Sequence, residues 1–350
     1  FDFRSDTVTK PTTTMKTKMV ESEVGDDVFG DDPTVIALEE ECARLFEKEA
    51  GLFVPSGTMG NLIAVMVHCD SRGSEVILGS KNHLVVYEQG GMSTIAGVHP
   101  RQLKTEEEHD SSTPVGGISL KEIEENIRVD DVHFPRTRLV CLENTHNLCG
   151  GVALPVDYID KVGSLCRAHG LKLHMDGARI FNAATATQTS VARICRDCDS
   201  VSVCLSKGLA SPVGTVLLGT KDFIRSARRM RKVLGGGMRQ AGVLAACGLV
   251  SLREMTSRLQ EDHNNARLLA EGLSQIAGVE VDLLSVQTNI VYFRLTKGGA
   301  RQLAADLKTR GLLIGAKDDF VCRAVLHYMV TAMISYETWS LTTFSLTGQL

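Results

Sequence analysis

A lysine follows an apolar run in the segment VCLSKGLASP, which spans Val203 to Pro212. Lysine carries a strongly hydrated ammonium group, and burial lowers the pKa of that group unless a partner or a covalent bond removes the charge. Lys207 is therefore either a surface lysine in a loop or a residue whose amine takes part in chemistry.

Asp176 is a second candidate, because it closes an apolar run in LHMDGARIF, thirty-one residues before Lys207. Ligands of parallel α/β sheets bind beyond the carboxyl ends of the strands, so an acid at such an end is a candidate binding group. The alternative is an aspartate that only caps the following helix.

The segment VPSGTMGNLIAVMV (54–67) passes from a strand into a helix through small residues. Such a turn exposes backbone N–H groups and the positive end of the helix dipole, which together favour an anion, most often a phosphate. The alternative is a simple helix cap in a tight turn.

An amine, an acid and a phosphate-binding turn at strand ends of one sheet meet the needs of pyridoxal phosphate. Lys207 would form a Schiff base with the aldehyde, and Asp176 would keep the pyridine nitrogen protonated so that the ring accepts electrons. In KNHLVVYEQGG (81–91), His83 is a candidate for stacking on the ring and for proton exchange near neutral pH. A lone histidine is otherwise more typical of a surface or packing position.

The elements that must position these residues alternate between apolar runs and helical patterns, which favours a mainly parallel α/β sheet. The predicted strands are 51–55, 75–79, 138–144, 172–177, 200–206 and 214–219, and the predicted helices include 34–50, 119–127 and 155–170. After about Met255 a long amphipathic stretch leads to short strands, which indicates a smaller C-terminal α/β domain. We predict an N-terminal segment 1–35, a large domain 36–250 and a small domain 251–350.

The composition is that of a globular protein, with 350 residues, 43% hydrophobic and 23% charged. A net charge of -4 offers no basic field for nucleic acid, and the basic stretch 225–232 is predicted to be the solvated face of a helix. No apolar run is long enough to cross a bilayer. We therefore predict neither a nucleic-acid nor a membrane partner.

The ten cysteines form no compact disulfide framework, which favours a reducing compartment such as the cytoplasm. Cys195 and Cys198 have no second pair and no nearby histidines to complete a zinc site, so no metal site is predicted. The chain begins at Phe1 instead of methionine, and removal of a targeting segment would allow a mitochondrial location.

Taken together, the motifs resemble the low-specificity L-threonine aldolases, which are fold type I pyridoxal phosphate enzymes of aspartate aminotransferase-like architecture. The matching stretches span residues 1 to about 325 and are FRSDTVTKPT, VGDDVFGDDPTV, PSGTMGNL, NHLVVYEQGG, LENTHN, GGVALP, LHMDGARIFNA, CLSKGLASPVG, RKVLGGGMRQAG and LQEDHNNA. This chain has Phe29 where relatives often carry tyrosine, and the segment after His327 does not match the final amphipathic helix of the family.

The resemblance implies a set of cofactor-binding residues. Lys207 is the Schiff-base lysine, Asp176 pairs with the pyridine nitrogen, and His83 stacks on the ring. The remaining implied cofactor contacts are Gly57, Thr58 and Ser206 at the phosphate, Arg179 at the ring oxygen, and Arg239 reaching the cofactor of a neighbouring subunit. Such active sites lie between subunits, which implies a homo-oligomer, commonly a dimer of dimers.

The resemblance also implies how the substrate is held. Ser5, Arg179 and Arg323 grip the amino-acid carboxylate, for which a planar guanidinium is well suited, and His146 approaches the substrate hydroxyl. The implied reaction is retro-aldol cleavage of L-threonine, L-allo-threonine and other β-hydroxy-α-amino acids to glycine and an aldehyde. The base is His83, His146 or a water that they hold.

Three alternatives share part of this site. A β-eliminating lyase or an aminotransferase of fold type I would use the same turn, aspartate and lysine. A catalytically impaired homologue would bind the cofactor without turnover. A cofactor-free Schiff-base aldolase would leave the phosphate-binding turn and Asp176 unexplained.

Overall fold

A computed structural model describes residues 1–335 together with residues 338 and 342. The larger of its two sheets has the strands β1 (Ala50–Val54), β2 (Ser74–Gly79), β3 (His99–Leu103), β4 (Arg136–Glu143), β5 (Lys172–Asp176), β6 (Ser200–Cys204) and β7 (Thr215–Gly219). Their order is β1-β7-β6-β5-β4-β2-β3. Only β7 runs antiparallel to its neighbours, which confirms the mainly parallel sheet predicted from the sequence.

Helices cover this sheet, and every position of β2, β6 and β7 is buried, as expected for strands packed on both faces. The helices are α1 (Thr13–Glu21), α2 (Pro33–Leu45), α3 (Gly57–His68), α4 (His83–Val86), α5 (Gly91–Thr94), α6 (Leu120–Glu125), α7 (Val156–Ala168), α8 (Ile180–Thr187), α9 (Val191–Ile194), α10 (Lys221–Val233), α11 (Gly242–Val250), α12 (Leu259–Ser274) and α13 (Ala300–Thr309). A π-helical turn, Ser251–Met255, and a 3-10 turn, Thr256–Arg258, join α11 to α12.

A second, antiparallel sheet lies after α12 and has its own apolar core. Its strands are β8 (Val279–Glu280), β9 (Ile290–Leu295), β10 (Gly315–Ala316) and β11 (Val321–Val325), in the order β10-β11-β9-β8. Phe3 is buried in this core, and its backbone N–H donates to Leu313 O at 2.7 Å. The predicted domain boundaries stay a prediction. Most of the atypical segment that follows His327 lies outside the described residues.

The structure corrects three local predictions. The helix predicted over 34–50 ends at Leu45, and Glu47 then adopts a left-handed backbone conformation with φ of 51°, which a right-handed helix cannot include. The strand β3 was missed, because its sequence HPRQL has little apolar character, as an edge strand can. Arg231 does not lie on a solvated helix face, since its guanidinium is buried against Asp27 Oδ2 at 2.7 Å and Phe53 O at 2.7 Å.

All ten cysteines lie within the described residues, and each is buried as a free thiol. In the described part of the chain, no helix has both the length and the apolar character needed to cross a bilayer. The compartment stays a prediction.

Candidate active site

The strands β1, β4, β5 and β6 point the same way, so the segments that follow them meet at one edge of the sheet. The strand ends and these segments contain Gly57, His146, Asp176 and Lys207, which are separated by up to 150 residues in sequence. The topology thus brings together the residues predicted to carry the chemistry.

The turn from β1 into α3 is closely packed against β6. Ser56 caps the helix by accepting a hydrogen bond from Met59 N at 3.2 Å. A side chain at position 57 would lie 2.7 Å from Cys204 Sγ, so glycine is needed for this approach. The N–H groups of the first turn, including those of Gly57 and Thr58, have no partner within the helix and form an anion-binding end.

Asp176 lies at the end of β5 and is 2% exposed. Its carboxylate accepts hydrogen bonds from Asn61 Nδ2 at 2.9 Å and from Ala178 N at 3.1 Å. The second bond stabilises the turn towards α8, so the capping role weighed from the sequence is present as well. Burial of a carboxylate is tolerated here because both oxygens are hydrogen-bonded.

Asn61 links Asp176 to two histidines and a second acid. Its Nδ2 also donates to Glu88 Oε1 at 2.9 Å, and its Oδ1 lies 3.1 Å from His174 Nε2. His83 Nδ1 lies 2.9 Å from Glu88 Oε1. We call these five residues, Asn61, His83, Glu88, His174 and Asp176, the Asp176 cluster.

Protonation within the Asp176 cluster follows from burial and neighbouring charge. Burial lowers the pKa of His83, but its hydrogen bond with Glu88 and the charge of Asp176 outweigh this and hold the pKa above its usual value. Burial raises the pKa of Glu88 as well, so both shifts favour a proton bound to the His83–Glu88 pair. Burial lowers the pKa of His174 to about 4, and this imidazole is therefore neutral.

A cavity of about 230 Å³ adjoins the cluster and is lined by Ser5, Thr7, His83, Tyr87, Asn147, Arg179, Lys207, Lys317 and Arg323. Four of these nine residues are lysine or arginine, and none of the nine is acidic. We call it the cationic cavity. Its charge suits a ligand with carboxylate groups.

Arg179 forms part of the cavity wall and is neutralised from behind by Asp6. Its Nε and Nη2 donate to the two carboxylate oxygens of Asp6 at 2.7 and 2.6 Å. Burial alone would raise the pKa of Asp6, but the charge and hydrogen bonds of Arg179 lower it far below its usual value. The bidentate pair fixes the direction of the guanidinium.

Arg323 and Ser5 lie in the same cavity as Arg179. Arg323, on β11, donates to Asn147 Oδ1 at 3.0 Å and to Arg4 O at 2.9 Å, which are both uncharged acceptors. Ser5 Oγ accepts a hydrogen bond from Thr7 N at 3.2 Å and begins the short 3-10 helix Asp6–Val8. The structure therefore brings together the three residues predicted to bind the substrate carboxylate.

His146 is 1% exposed and does not line the cavity, although its neighbour Asn147 does. Neither ring nitrogen of His146 has a hydrogen-bond partner within the described residues, and Nε2 lies 4.0 Å from Glu143 Oε2. An imidazole buried with both nitrogens unpaired is expensive unless a ligand or a water completes it.

Two further predicted site residues, Ser206 and Arg239, do not line the cationic cavity. Ser206 is half-buried beside Lys207. Arg239 is exposed, is not among the cavity residues, and pairs with Asp26 Oδ2 at 3.0 Å. Its predicted contact with a neighbouring subunit stays a prediction.

Sequence reasoning did not name several residues that take part in this arrangement, namely Asp6, Asn61, Tyr87, Glu88 and Lys317. Four of them lie inside stretches that carried the resemblance, next to residues that were named. The motif that contains each of these four residues could have indicated it, but only the contacts in the structure show which groups each side chain meets. Lys317 lies outside every such stretch and had no signal.

Comparison with known proteins identifies the family of this chain. The family model of the beta-eliminating lyases matches residues 2–296. A probable low-specificity L-threonine aldolase 2 from Arabidopsis thaliana is 52% identical over 335 residues, which cover 94% of this chain and 92% of the relative. The low specificity L-threonine aldolase of Escherichia coli K12 is 43% identical over 330 residues, covering 94% of each chain.

The solved structure of Leishmania major threonine aldolase superposes with a TM-score of 0.82 at 19% identity and covers 99% of both chains. This likeness confirms the predicted fold type I architecture. The chain therefore belongs to the beta-eliminating lyase family, a family of lyases, in the group of the low-specificity L-threonine aldolases that its motifs resemble.

Proposed function

We propose that this protein cleaves L-threonine, L-allo-threonine and related β-hydroxy-α-amino acids to glycine and an aldehyde, with pyridoxal phosphate as cofactor. The main support is a single cavity lined by Arg179, Arg323 and Lys207, which adjoins the cluster that contains the buried acid Asp176. The names of the relatives support the same substrate class. The reaction would degrade threonine and form glycine.

The residues present fit pyridoxal phosphate. The first turn of α3 and Ser206 suit the phosphate, Asp176 suits the pyridine nitrogen, and the amine of Lys207 suits the aldehyde. His83 offers a flat ring whose nitrogen lies within 4.8 Å of the carboxylate oxygens of Glu88 and Asp176. When bound, this cofactor supplies an electron sink for the pair released as the Cα–Cβ bond breaks.

The protein's own residues would then orient the substrate and move one proton. Ser5, Arg179 and Arg323 bind the α-carboxylate, and this anchoring sets the direction of the Cα–Cβ bond. The hydroxyl proton passes to His83, to His146 or to a water that they hold. The unpaired nitrogens of His146 support its part in this step.

A homo-oligomer, arranged as a dimer of dimers, would complete each site with Arg239 from a neighbouring subunit. The exposed position of Arg239 on its own chain supports this arrangement. Mixing an Arg239→Ala subunit with a Lys207→Ala subunit tests it, because shared sites would regain part of the activity that each variant lacks.

The first experiment is to add pyridoxal phosphate to the purified protein and record absorbance between about 330 and 500 nm. Glycine and acetaldehyde are then measured after addition of L-allo-threonine. We expect a cofactor band and equal amounts of the two products, both lost in Lys207→Ala and both kept in the control Lys221→Ala. Ammonia with a 2-oxo acid would indicate β-elimination instead, and a band without products would indicate an impaired homologue.

A further inference from the structure

Lys317 is the one cation of the cationic cavity without a role in the proposed reaction. Arg179, whose charge is balanced by Asp6, and Arg323 serve the α-carboxylate, and the amine of Lys207 serves the cofactor. Lys317 lies directly after β10, in the hairpin that leads to β11 and Arg323. It adds a positive charge that the α-carboxylate alone does not require.

No acid of the described chain neutralises Lys317. Its Nζ lies 3.4 Å from Tyr87 Oη and 5.6 Å from the centre of the Tyr87 ring, and it forms no ion pair there. The adjacent acids are engaged elsewhere: Asp318 Oδ1 accepts from Phe320 N at 2.6 Å and from Val321 N at 2.8 Å, and Asp319 Oδ2 lies 3.5 Å from Gly299 N.

Tyr87 connects this charge to the reaction centre. It follows α4 directly, and its ring lies 5.3 Å from the ring of His83, tilted by 42°. Tyr87 is 46% exposed, so the pair formed with Lys317 lies where the cavity opens to solvent. A phenol hydroxyl and an ammonium group at one end of a cavity are both donors for an anion.

We propose that Lys317 and Tyr87 bind an acidic group at the far end of the substrate side chain. This inference rests on the proposed function and assigns to it a substrate class, the β-hydroxy-α-amino acids that carry a second carboxylate. The simplest member is 3-hydroxyaspartate. Its Cα–Cβ bond would break, the hydroxyl would lose its proton and become the aldehyde of glyoxylate, and Cα would take up one proton to give glycine. The reaction consumes no oxidant, reductant or water.

The test measures the activity of the holoenzyme on two substrates. Cleavage of L-3-hydroxyaspartate is monitored by the release of glyoxylate, and cleavage of L-allo-threonine by the release of acetaldehyde. The measured quantity is kcat/KM for L-3-hydroxyaspartate divided by kcat/KM for L-allo-threonine. Lys317→Met keeps most of the length of the side chain and removes the charge. We expect it to lower this ratio about tenfold, which is at the low end for a hydrogen bond between charged groups because the site is open to solvent. Tyr87→Phe is expected to lower it about threefold. Lys297→Met, at an exposed lysine outside the cavity, serves as the control and should leave the ratio unchanged.

A binding measurement separates this inference from the proposed function. Calorimetry with L-aspartate and L-alanine, which lack the β-hydroxyl, should give tighter binding of L-aspartate to the wild type and loss of that preference in Lys317→Met. If the wild type cleaves L-allo-threonine but Lys317→Met changes neither the kcat/KM ratio nor the binding preference, the subsite is refuted and the aldolase remains. If the wild type cleaves neither substrate, the aldolase is refuted, and the preference for L-aspartate still decides the subsite.

Discussion

The Asp176 cluster and the cationic cavity share a wall but differ in charge and in the pairing of their polar groups. In the cluster, Asp176 and Glu88 are buried, and each accepts hydrogen bonds from protein groups. In the cavity, Lys317 has only a phenol hydroxyl as partner, and Arg323 has only neutral acceptors. Buried acids need partners before any ligand arrives, whereas an exposed cation such as Lys317 can stay hydrated until an anion binds, and the buried Arg323 is held by neutral acceptors that leave its charge available.

The difference separates two tasks. The cluster holds its groups in one arrangement, which suits a cofactor that is always present. The cavity offers charge that the substrate completes, which suits a ligand that enters and leaves. The Asp6–Arg179 pair is the exception, because it lies in the cavity wall yet is buried and paired like the cluster.

That exception gives the largest expected effect. Asp6→Asn leaves Arg179 buried without a counter-charge, and we expect the free energy of unfolding of the holoenzyme to fall by about 3–5 kcal/mol in urea at pH 7. The pKa of Asp6 is lowered in the folded state, so its contribution is complete above the usual pKa of about 4 and is lost as pH falls through the lowered value. The difference between wild type and variant should therefore shrink below about pH 4. A loss under about 1 kcal/mol at pH 7 would mean that the pair is solvated like the rest of the cavity.

The next effect tests the cluster itself. Asp176→Asn keeps a similar shape and can still accept from Asn61, but it removes the negative charge. We expect kcat for L-allo-threonine to fall about 100- to 1000-fold at saturating cofactor, while Asp222→Asn on the exposed face of α10 changes nothing. A rise in KM with unchanged kcat would instead assign Asp176 to substrate binding. The Asp176 cluster and the cationic cavity would then no longer have separate tasks.

Glu88 gives a smaller effect that sharpens the comparison. Glu88→Gln removes the carboxylate whose hydrogen bond helps to raise the pKa of His83, while burial continues to lower that pKa. We expect the limb of the pH profile of kcat/KM that belongs to His83 to move to lower pH, with a loss of about tenfold at the optimum. The exposed Glu108→Gln is the matched control. An unmoved limb would show that Glu88 only fills space.

The smallest expected effect lies on the cavity side. Ser5→Ala removes one neutral hydrogen-bond donor for the α-carboxylate, and we expect KM for L-allo-threonine to rise about fivefold with kcat within about twofold. Ser112→Ala, in an exposed loop, is the control. A fall in kcat at constant KM would argue that Ser5 acts on the reacting atoms.

Much of the site could be predicted because its signals are local. Apolar runs that end in Asp176 or just before Lys207 identify strand ends, and strand ends of a parallel sheet meet at one edge whatever their separation in sequence. The exact extents were less certain, since residues near 45–50 suit either a helix end or a turn. The buried Arg231 could not be predicted, because its helix carries a strongly basic pattern that is typical of an exposed face.

The sequence by itself determined the mainly parallel sheet, the lysine, aspartate and phosphate-binding turn, and the family resemblance, because each follows from short patterns along the chain. Only the tertiary structure decided the partners of buried charge. Asp6 meets Arg179 across 173 residues, and Tyr87 meets Lys317 across 230. Such pairs depend on which distant elements pack together, and the cost of leaving a charge unpaired away from water then decides which of them are buried as pairs and which remain open for a ligand.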